Sequence, residues 1–146
     1  MKIHTASELI SLARRLEDES AGFYEKLASN ERHPQPWYDY VKENGQNVKN
    51  VQRAYNSAIS DALESGFAFD VEASDFEFSV PTQASHSEIV KGAIDIETKM
   101  ARLYEIAAEQ SQSLLPDVSR AMKVIHRKRQ MRLDMLRSAL AHPPLP

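Results

Sequence analysis

The chain has 146 residues, of which 42% are hydrophobic and 27% charged, with a formal net charge of −3 and no cysteine. This length fits one domain with its own core, and the lack of cysteine excludes a disulfide framework, thiolate metal ligands and a cysteine nucleophile. The charge argues against a protein built wholly for nucleic acid. No apolar run resembles a signal peptide or a membrane span, so we expect a cytoplasmic protein without a membrane partner.

Apolar residues recur every three or four positions in most of the chain, which is typical of helices with one buried face. Thr5 with Glu8, and Ser85 with Glu88, have the spacing of capping boxes, which stand at helix starts. The pattern predicts four helices over about residues 6–30, 37–64, 86–112 and 116–140.

The segment 66–84 lies between the second and third predicted helices and alternates briefly between apolar and polar residues. A lone strand would have no partner here, so we predict an extended crossover loop rather than a strand. Residues 141–146 are predicted to form a flexible tail. The sequence thus predicts a single domain over residues 1–146.

An internal repeat relates the first helix to the third. After a shift of 80 residues, eight of 24 positions are identical between residues 5–28 and 85–108. Two duplicated helical hairpins joined by a long crossover predict an all-α four-helix bundle.

The repeat places a glutamate seven residues before a tyrosine twice, as Glu17 with Tyr24 and as Glu97 with Tyr104. This spacing puts all four side chains on inward stripes. Buried carboxylates are costly unless a cation or hydrogen-bond donors meet them, so we expect a positive group between the two glutamates. The alternative interpretation is a pair of half-exposed glutamates at helix edges.

The repeated glutamate–tyrosine segments, "EDESAGFY" and "ETKMARLY", resemble the rubrerythrin-like branch of the ferritin-like superfamily. The resemblance implies a ferritin-like bundle, a homodimer and a di-iron carboxylate site. In that site Glu17 and Glu97 would be iron ligands, and Tyr24 and Tyr104 would support them without binding the metal. It also implies a Glu-x-x-His pair on each of the second and fourth helices.

The second and fourth helices depart from this family pattern. Asn44 and Asn47 stand at the glutamate and histidine places of the second helix, and Arg129 and Arg132 stand at those of the fourth. A shift of one residue in the fourth helix would place Lys128 and Met131 there instead, and neither register restores a Glu-x-x-His pair. Asparagine is a poor ligand for transition metals. We therefore predict a degenerate site with no catalytic residue and no cofactor, although iron is the cofactor that the resemblance would imply.

Arg129 is predicted to substitute for the metal, with its guanidinium within hydrogen-bonding distance of Glu17 or Glu97. The alternative leaves the arginines of this helix in solvent, with their aliphatic stems lying on apolar side chains. His126, the only histidine inside the fourth helix, could add a third ligand to the two glutamates. We favour a structural or surface role for it.

The sequence leaves three functions open. The first, which we favour, is a rubrerythrin-like bundle that has lost its di-iron centre and acts as a non-catalytic binding or scaffold protein for an unidentified protein partner. The second is a rubrerythrin-type di-iron oxidoreductase with an atypical metal site, which would reduce peroxide or oxidise ferrous iron. The third is nucleic-acid binding by the basic fourth helix, ranked last because the chain is acidic overall and lacks a recognised nucleic-acid motif. The basic residues of that helix are Arg120, Lys123, Arg127, Lys128, Arg129, Arg132 and Arg137.

Overall fold

The computed structural model describes residues 1–30, 37–61, 69–79, 85–113 and 115–141. The predicted all-α architecture is confirmed, because four long helices make up most of this part of the chain, with bounds that differ from the predicted ones by at most one residue where both are described. The predicted end of the second helix at residue 64 lies outside the described residues. The helices are α1 (Ala6–Asn30), α2 (Trp37–Asp61), α3 (His86–Ser111) and α4 (Pro116–Ala141).

Hydrogen bonds form at both predicted capping boxes. The amide of Glu8 donates to Thr5 Oγ1 at 3.2 Å, and Glu8 Oε1 accepts from the amide of Thr5 at 3.0 Å. At the start of α3, the amide of Glu88 donates to Ser85 Oγ at 3.2 Å. These bonds satisfy amides that have no acceptor in their own helix, so they determine where α1 and α3 begin.

The core lies between the inward stripes of the four helices. On α4 the buried positions recur every three or four residues, which is the spacing of one helix face. The predicted register of α4 is therefore confirmed, including two arginines on its buried stripe. The stripe consists of Val118, Met122, Ile125, Arg129, Arg132 and Leu136.

The segment between α2 and α3 contains a strand, contrary to the prediction. β2 (Val71–Glu72) pairs antiparallel with β1 (Lys2–Ile3), and a short 3₁₀ helix follows at Ala73–Phe76. The expectation that a strand here would have no partner was wrong, because the partner precedes α1 and is distant in sequence. Residues 66–68, 80–84 and 142–146, which complete the predicted crossover and tail, lie outside the described residues.

The described part of the crossover runs over the groove between α1 and α3. Asp70 exchanges two hydrogen bonds with the side chain of Gln110 on α3. Farther along, Glu77 pairs with Arg15 of α1 at 2.6 Å, and its carbonyl accepts from Lys99 of α3 at 2.7 Å. This segment therefore covers one side of the space between the two helices that carry the predicted glutamates. None of the helices in the described ranges has the length and apolar character needed to cross a bilayer.

Candidate functional site

Both repeated glutamates lie inside the core. Glu17 on α1 is 1% exposed, and Glu97 on α3 is fully buried. The interpretation of half-exposed glutamates at helix edges is therefore wrong. Two carboxylates removed from water need counter-charges or donors close by, or they would destabilise the fold.

Arg129 on α4 provides that counter-charge. Its guanidinium contacts Glu17 Oε2 through Nη2 and Glu97 Oε2 through Nη1, each at 2.5 Å. The side chain is fully buried, and charge-assisted bonds of this kind are short and strong. The predicted contact of Arg129 with the glutamates is confirmed, and one guanidinium bridges both.

The two tyrosines of the repeated motif each donate a hydrogen bond to the glutamate on the other helix. The hydroxyl of Tyr24 on α1 donates to Glu97 Oε2 at 2.7 Å, and that of Tyr104 on α3 donates to Glu17 Oε1 at 2.6 Å. As residue numbers rise along α1, those of the bonded partners fall along α3, so the two helices are antiparallel. Burial raises the pKa of both tyrosines well above the usual range, and the adjacent carboxylates act in the same direction, so both hydroxyls stay donors.

The two asparagines of α2 face the same cluster. Asn44 Nδ2 donates to Ser20 Oγ at 2.8 Å and to the carbonyl of Glu17 at 3.2 Å. Asn47 Nδ2 lies 3.5 Å from Glu17 Oε1. Both amides therefore act as donors on the α1 side of the cluster. Ser20 was not predicted as a site residue, although a small polar residue on the inward stripe of α1 was the available signal.

Arg132 adds a second buried cation, 2% exposed, one turn beyond Arg129. Its Nε donates to Glu43 Oε1 at 2.8 Å, and its Nη2 donates to the carbonyl of Tyr40 at 3.1 Å. The guanidinium carbon also lies 4.6 Å from the centroid of the Tyr40 ring, which is within cation–π range. Its Nη1 is 3.7 Å from Glu97 Oε1. Sequence reasoning did not assign Glu43 to the site.

The fully buried charges balance when all of them are ionised, because Glu17 and Glu97 are matched by Arg129 and Arg132. Burial raises the pKa of the Glu17 carboxyl above its usual range, and the Arg129 guanidinium and the Tyr104 hydroxyl act against this rise. Burial alone would lower the pKa of Arg129, but the two carboxylates outweigh it and raise that pKa above its usual range. The arginine therefore keeps its charge at any accessible pH.

Several buried polar atoms of the cluster have no hydrogen-bond partner within the described residues. They include acceptors as well as donors carried by the two cationic arginines, a mixture that suits bridging water better than a metal cation. The atoms are the Tyr40 hydroxyl, Asn44 Oδ1, Asn47 Oδ1, Glu97 Oε1, Arg129 Nε and Arg132 Nη1.

These residues do not fit the di-iron centre that the resemblance implies. The guanidinium of Arg129 is bound directly to both carboxylates, and the described ranges contain no cluster of three or more His, Cys, Asp or Glu side chains that could hold a metal ion. His126 is half-buried, and its Nδ1 lies 2.8 Å from the carbonyl of Ala101 on α3. This contact supports the structural interpretation of that histidine over the ligand interpretation.

No protein-family model, curated protein or solved structure matches the chain.

Proposed function

We propose that the chain is a ferritin-like bundle protein in which an arginine has replaced the di-iron centre, and that it acts as a non-catalytic binding or scaffold protein. The observation that carries the proposal is the double ion pair from Arg129 to Glu17 and Glu97. In the family that the sequence resembles, the corresponding carboxylates bind iron. Here each carboxylate is already bound to a guanidinium and to a tyrosine hydroxyl.

A metal cation could reach these carboxylates only if the arginine left the cluster. Proton loss does not provide a route, because the guanidinium remains charged at any accessible pH. Movement of the side chain to solvent would leave Glu17 and Glu97 unpaired in the core, and breaking a buried pair costs several kcal/mol, about 3–5. A di-iron oxidoreductase is therefore the less favoured of the two family-based functions.

Nucleic-acid binding by α4 is also less favoured, although the sequence of that helix is basic. Of its seven Lys and Arg residues, Arg129 and Arg132 are buried and bound to carboxylates. Phosphate contacts require cations that can reach the nucleic acid. Only the other five are left to make such contacts, and they are spread over more than one side of the helix.

The test is the metal content of protein purified without a chelator and then titrated anaerobically with Fe²⁺. We expect no stoichiometric iron, and we expect Glu17→Gln to have the same background iron as the unchanged chain. Glu105→Gln, a change at a solvent-facing ion pair of α3, is the matched control. A di-iron content that disappears in Glu17→Gln but persists in Glu105→Gln would overturn the proposal.

A further inference from the structure

The middle of α2 contains a glycine that packing does not require. Gly45 is exposed, and a Cβ placed on it would meet no atom of the described residues within 4 Å. Its backbone is helical, so no left-handed conformation calls for a glycine either. Alanine would fit at this position and would stabilise the helix more. Gly45 does, however, change the chemistry open to the residue before it, Asn44.

Asn44 and Gly45 form an Asn-Gly dipeptide, and no other asparagine of the chain precedes a glycine. The backbone nitrogen of such a glycine can attack the side-chain carbonyl carbon of the asparagine, because glycine has no Cβ to hinder the approach. A bond forms between Gly45 N and Asn44 Cγ, the bond from Cγ to Nδ2 breaks, and the backbone proton leaves with Nδ2 as ammonia. Water from the solvent then opens the cyclic imide to aspartate or isoaspartate, so the reaction needs no oxidant or reductant.

The folded chain blocks this reaction at both reacting groups. Gly45 lies inside α2, where its amide donates to the carbonyl of Val41. Ring closure requires the Cβ–Cα–C–N torsion of Asn44 to be nearly eclipsed, which the helical ψ angle prevents. Asn44 is 1% exposed, and its Nδ2 donates to Ser20 Oγ at 2.8 Å and to the carbonyl of Glu17 at 3.2 Å. The attack therefore requires α2 to open.

The products of the reaction do not fit the place that Asn44 occupies. A carboxylate at this position has no donor for the carbonyl oxygen of Glu17, which now accepts from Nδ2. It would also add a negative charge to a core that already contains the carboxylates of Glu17 and Glu97. Isoaspartate lengthens the backbone by one carbon, which disrupts the hydrogen-bond register of α2. A chain that reacts while open is therefore hindered from refolding.

We propose that Asn44 is a deamidation site that records opening of the fold, because the folded chain protects its amide and the opened chain loses it irreversibly. Asn44 contacts the α1 side of the buried cluster, so a change that destabilises the cluster also exposes the site. The rate of deamidation in native buffer equals the rate in the unfolded chain multiplied by the fraction of open molecules. The proposal does not depend on whether iron binds or on what the chain binds.

The first test is peptide mapping by mass spectrometry after incubation at slightly alkaline pH, with and without guanidinium chloride. We expect Asn44 to deamidate at least about 100-fold more slowly in the folded chain, because folded proteins have unfolded fractions of about 10⁻³ or less. Gly45→Ala is the matched control, since there is space for its methyl group. In denaturant it should slow the reaction at least about tenfold, because its Cβ hinders the nitrogen. Equal rates in the folded and unfolded chains would overturn the proposal.

The second test links the reaction to the buried cluster. In native buffer we expect Arg129→Ala to deamidate at least about 100-fold faster than the unchanged chain, because loss of the buried cation raises the open fraction. Arg127→Ala, at an exposed position, should stay within about threefold. In the unchanged chain, the logarithm of the rate should rise linearly with denaturant below the unfolding midpoint. A rate that is independent of denaturant, or equal rates for the two arginine variants, would show that opening of the fold does not control the site.

The third test concerns the product. Asn44→Asp introduces the carboxylate directly, and Asn44→Ala removes the same hydrogen bonds without adding a charge. Near pH 8 we expect Asn44→Asp to unfold at a lower denaturant concentration than Asn44→Ala, because its carboxylate is buried close to that of Glu17. An unfolding midpoint of Asn44→Asp at or above that of Asn44→Ala would show that deamidation does not hinder refolding, which would overturn the proposal.

Discussion

Tyr24 on α1 donates its hydroxyl hydrogen bond across the core to Glu97 on α3, at 2.7 Å. The reciprocal bond leads from Tyr104 on α3 to Glu17 on α1, at 2.6 Å. Each tyrosine therefore stabilises the carboxylate on the opposite helix, and Arg129 joins the two carboxylates from a third helix.

The crosswise hydrogen bonds predict equal effects for two conservative changes. Tyr24→Phe and Tyr104→Phe each remove one donor from a buried carboxylate, and hydrogen bonds to charged groups contribute about 1.5–3 kcal/mol. We expect each variant to lose about that free energy of unfolding in urea, followed by circular dichroism. Tyr38→Phe, at an exposed position, should change it by less than about 0.5 kcal/mol. Equal urea midpoints for all three variants would show that the two crosswise hydrogen bonds do not stabilise the fold.

Arg129 is predicted to be far more important for stability than Arg127. Arg129→Ala leaves Glu17 and Glu97 without their shared cation, so we expect a loss of about 3–5 kcal/mol in the free energy of unfolding. Arg127→Ala, on the exposed side of α4, should change it by less than about 0.5 kcal/mol. If both variants unfold at the same denaturant concentration, Arg129 is not the internal counter-ion.

A triple variant separates the loss of a charge from the loss of packing at the same site. Glu17→Gln/Glu97→Gln/Arg129→Met removes the three charges of the double ion pair at nearly constant volume, while Arg132 keeps its ion pair with Glu43. Replacement of a buried ion triad by neutral residues is often close to neutral in stability. We therefore expect it to be more stable than Arg129→Ala. A triple variant as unstable as that single one would show that volume, rather than stranded charge, dominates.

Arg132 and Glu43 should differ in their effects although they form one ion pair. Glu43 is 34% exposed in its side chain, so solvent screens the pair, and Glu43→Ala should cost less than about 1 kcal/mol. Arg132→Ala also loses a bond to the carbonyl of Tyr40 and the contact with the Tyr40 ring, and we expect it to cost about 2–3 kcal/mol. Urea midpoints that rank these two variants in the opposite order would contradict this assignment.

Alkaline pH should unfold the protein through its buried tyrosines. Burial raises the pKa of Tyr40 to about 12, from a usual value of 10.0, and raises those of Tyr24 and Tyr104 as well. Above about pH 10 the unfolded chain loses phenolic protons that the folded chain keeps. The stability that these groups contribute is therefore complete below pH 10 and declines as pH rises through the folded pKa values.

The measurement for this prediction is the free energy of unfolding as a function of pH between 9 and 12, together with phenolate absorbance. Tyr40→Phe removes one titrating group. Between pH 10 and about 12, the usual and the folded pKa values of Tyr40, the free energy of unfolding of this variant should therefore fall less steeply with pH, by about 1.4 kcal/mol per pH unit. Phenolate absorbance that reaches its full value below pH 11 without loss of helicity would show that these hydroxyls are accessible in the folded protein.

The proposed relationship to ferritin-like proteins can be tested by introducing the ligands that the resemblance implies. The quadruple variant Asn44→Glu/Asn47→His/Arg129→Glu/Arg132→His supplies the two Glu-x-x-His pairs beside the existing glutamates. We expect it to bind Co²⁺ with the visible absorption of a protein-bound ion, because carboxylate and imidazole groups are suitable ligands. Addition of Glu17→Gln should weaken that binding. A folded quadruple variant without affinity for Co²⁺ would contradict the assigned helix registers.

The position of Arg129 could be predicted from the sequence because two independent periodicities agree. The stripes of α1 and α3 place Glu17 and Glu97 inward, and the stripe of α4 reaches residue 129 at helical spacing. A buried pair of like charges requires a cation or hydrogen-bond donors, so burial and charge predicted a positive group between the glutamates, and the register of α4 made Arg129 the candidate. Glu17 and Glu97 supplied the buried negative charge, and the periodicity of α4 placed a cation, Arg129, on the same core.

The crosswise tyrosine bonds could not be predicted in this way. A spacing of seven residues gives a shared face but does not identify the partner, and the α-carbons of Tyr24 and Glu17 are about 10.5 Å apart along the helix axis. That separation exceeds what a direct bond within one helix readily spans, so the partner lies on another helix. Its identity depends on the relative direction of α1 and α3, which only the folded structure reveals.

Two other features escaped prediction for related reasons. The strand pair joins Lys2 to Glu72, and local alternation over two residues does not indicate so distant a partner. Asn44 lies on the inward stripe of α2, and its neighbour Glu43 is rotated about 100° around the helix from it. The long side chain of Glu43 nevertheless reaches Arg132 from the edge of the helix. Periodicity describes where a Cα–Cβ bond points, and it does not describe where a flexible side chain ends.

The hydrogen bonds that join the two helical hairpins constrain how the sequence can evolve. Glu17, Tyr24, Glu97 and Tyr104 form two pairs, and each pair has one member in each half of the chain. A substitution in one half changes the surroundings of a residue encoded far away in the other, so the two halves are not free to diverge separately. In descendants of this chain we expect these four positions, with residue 129, to be replaced together or to persist together.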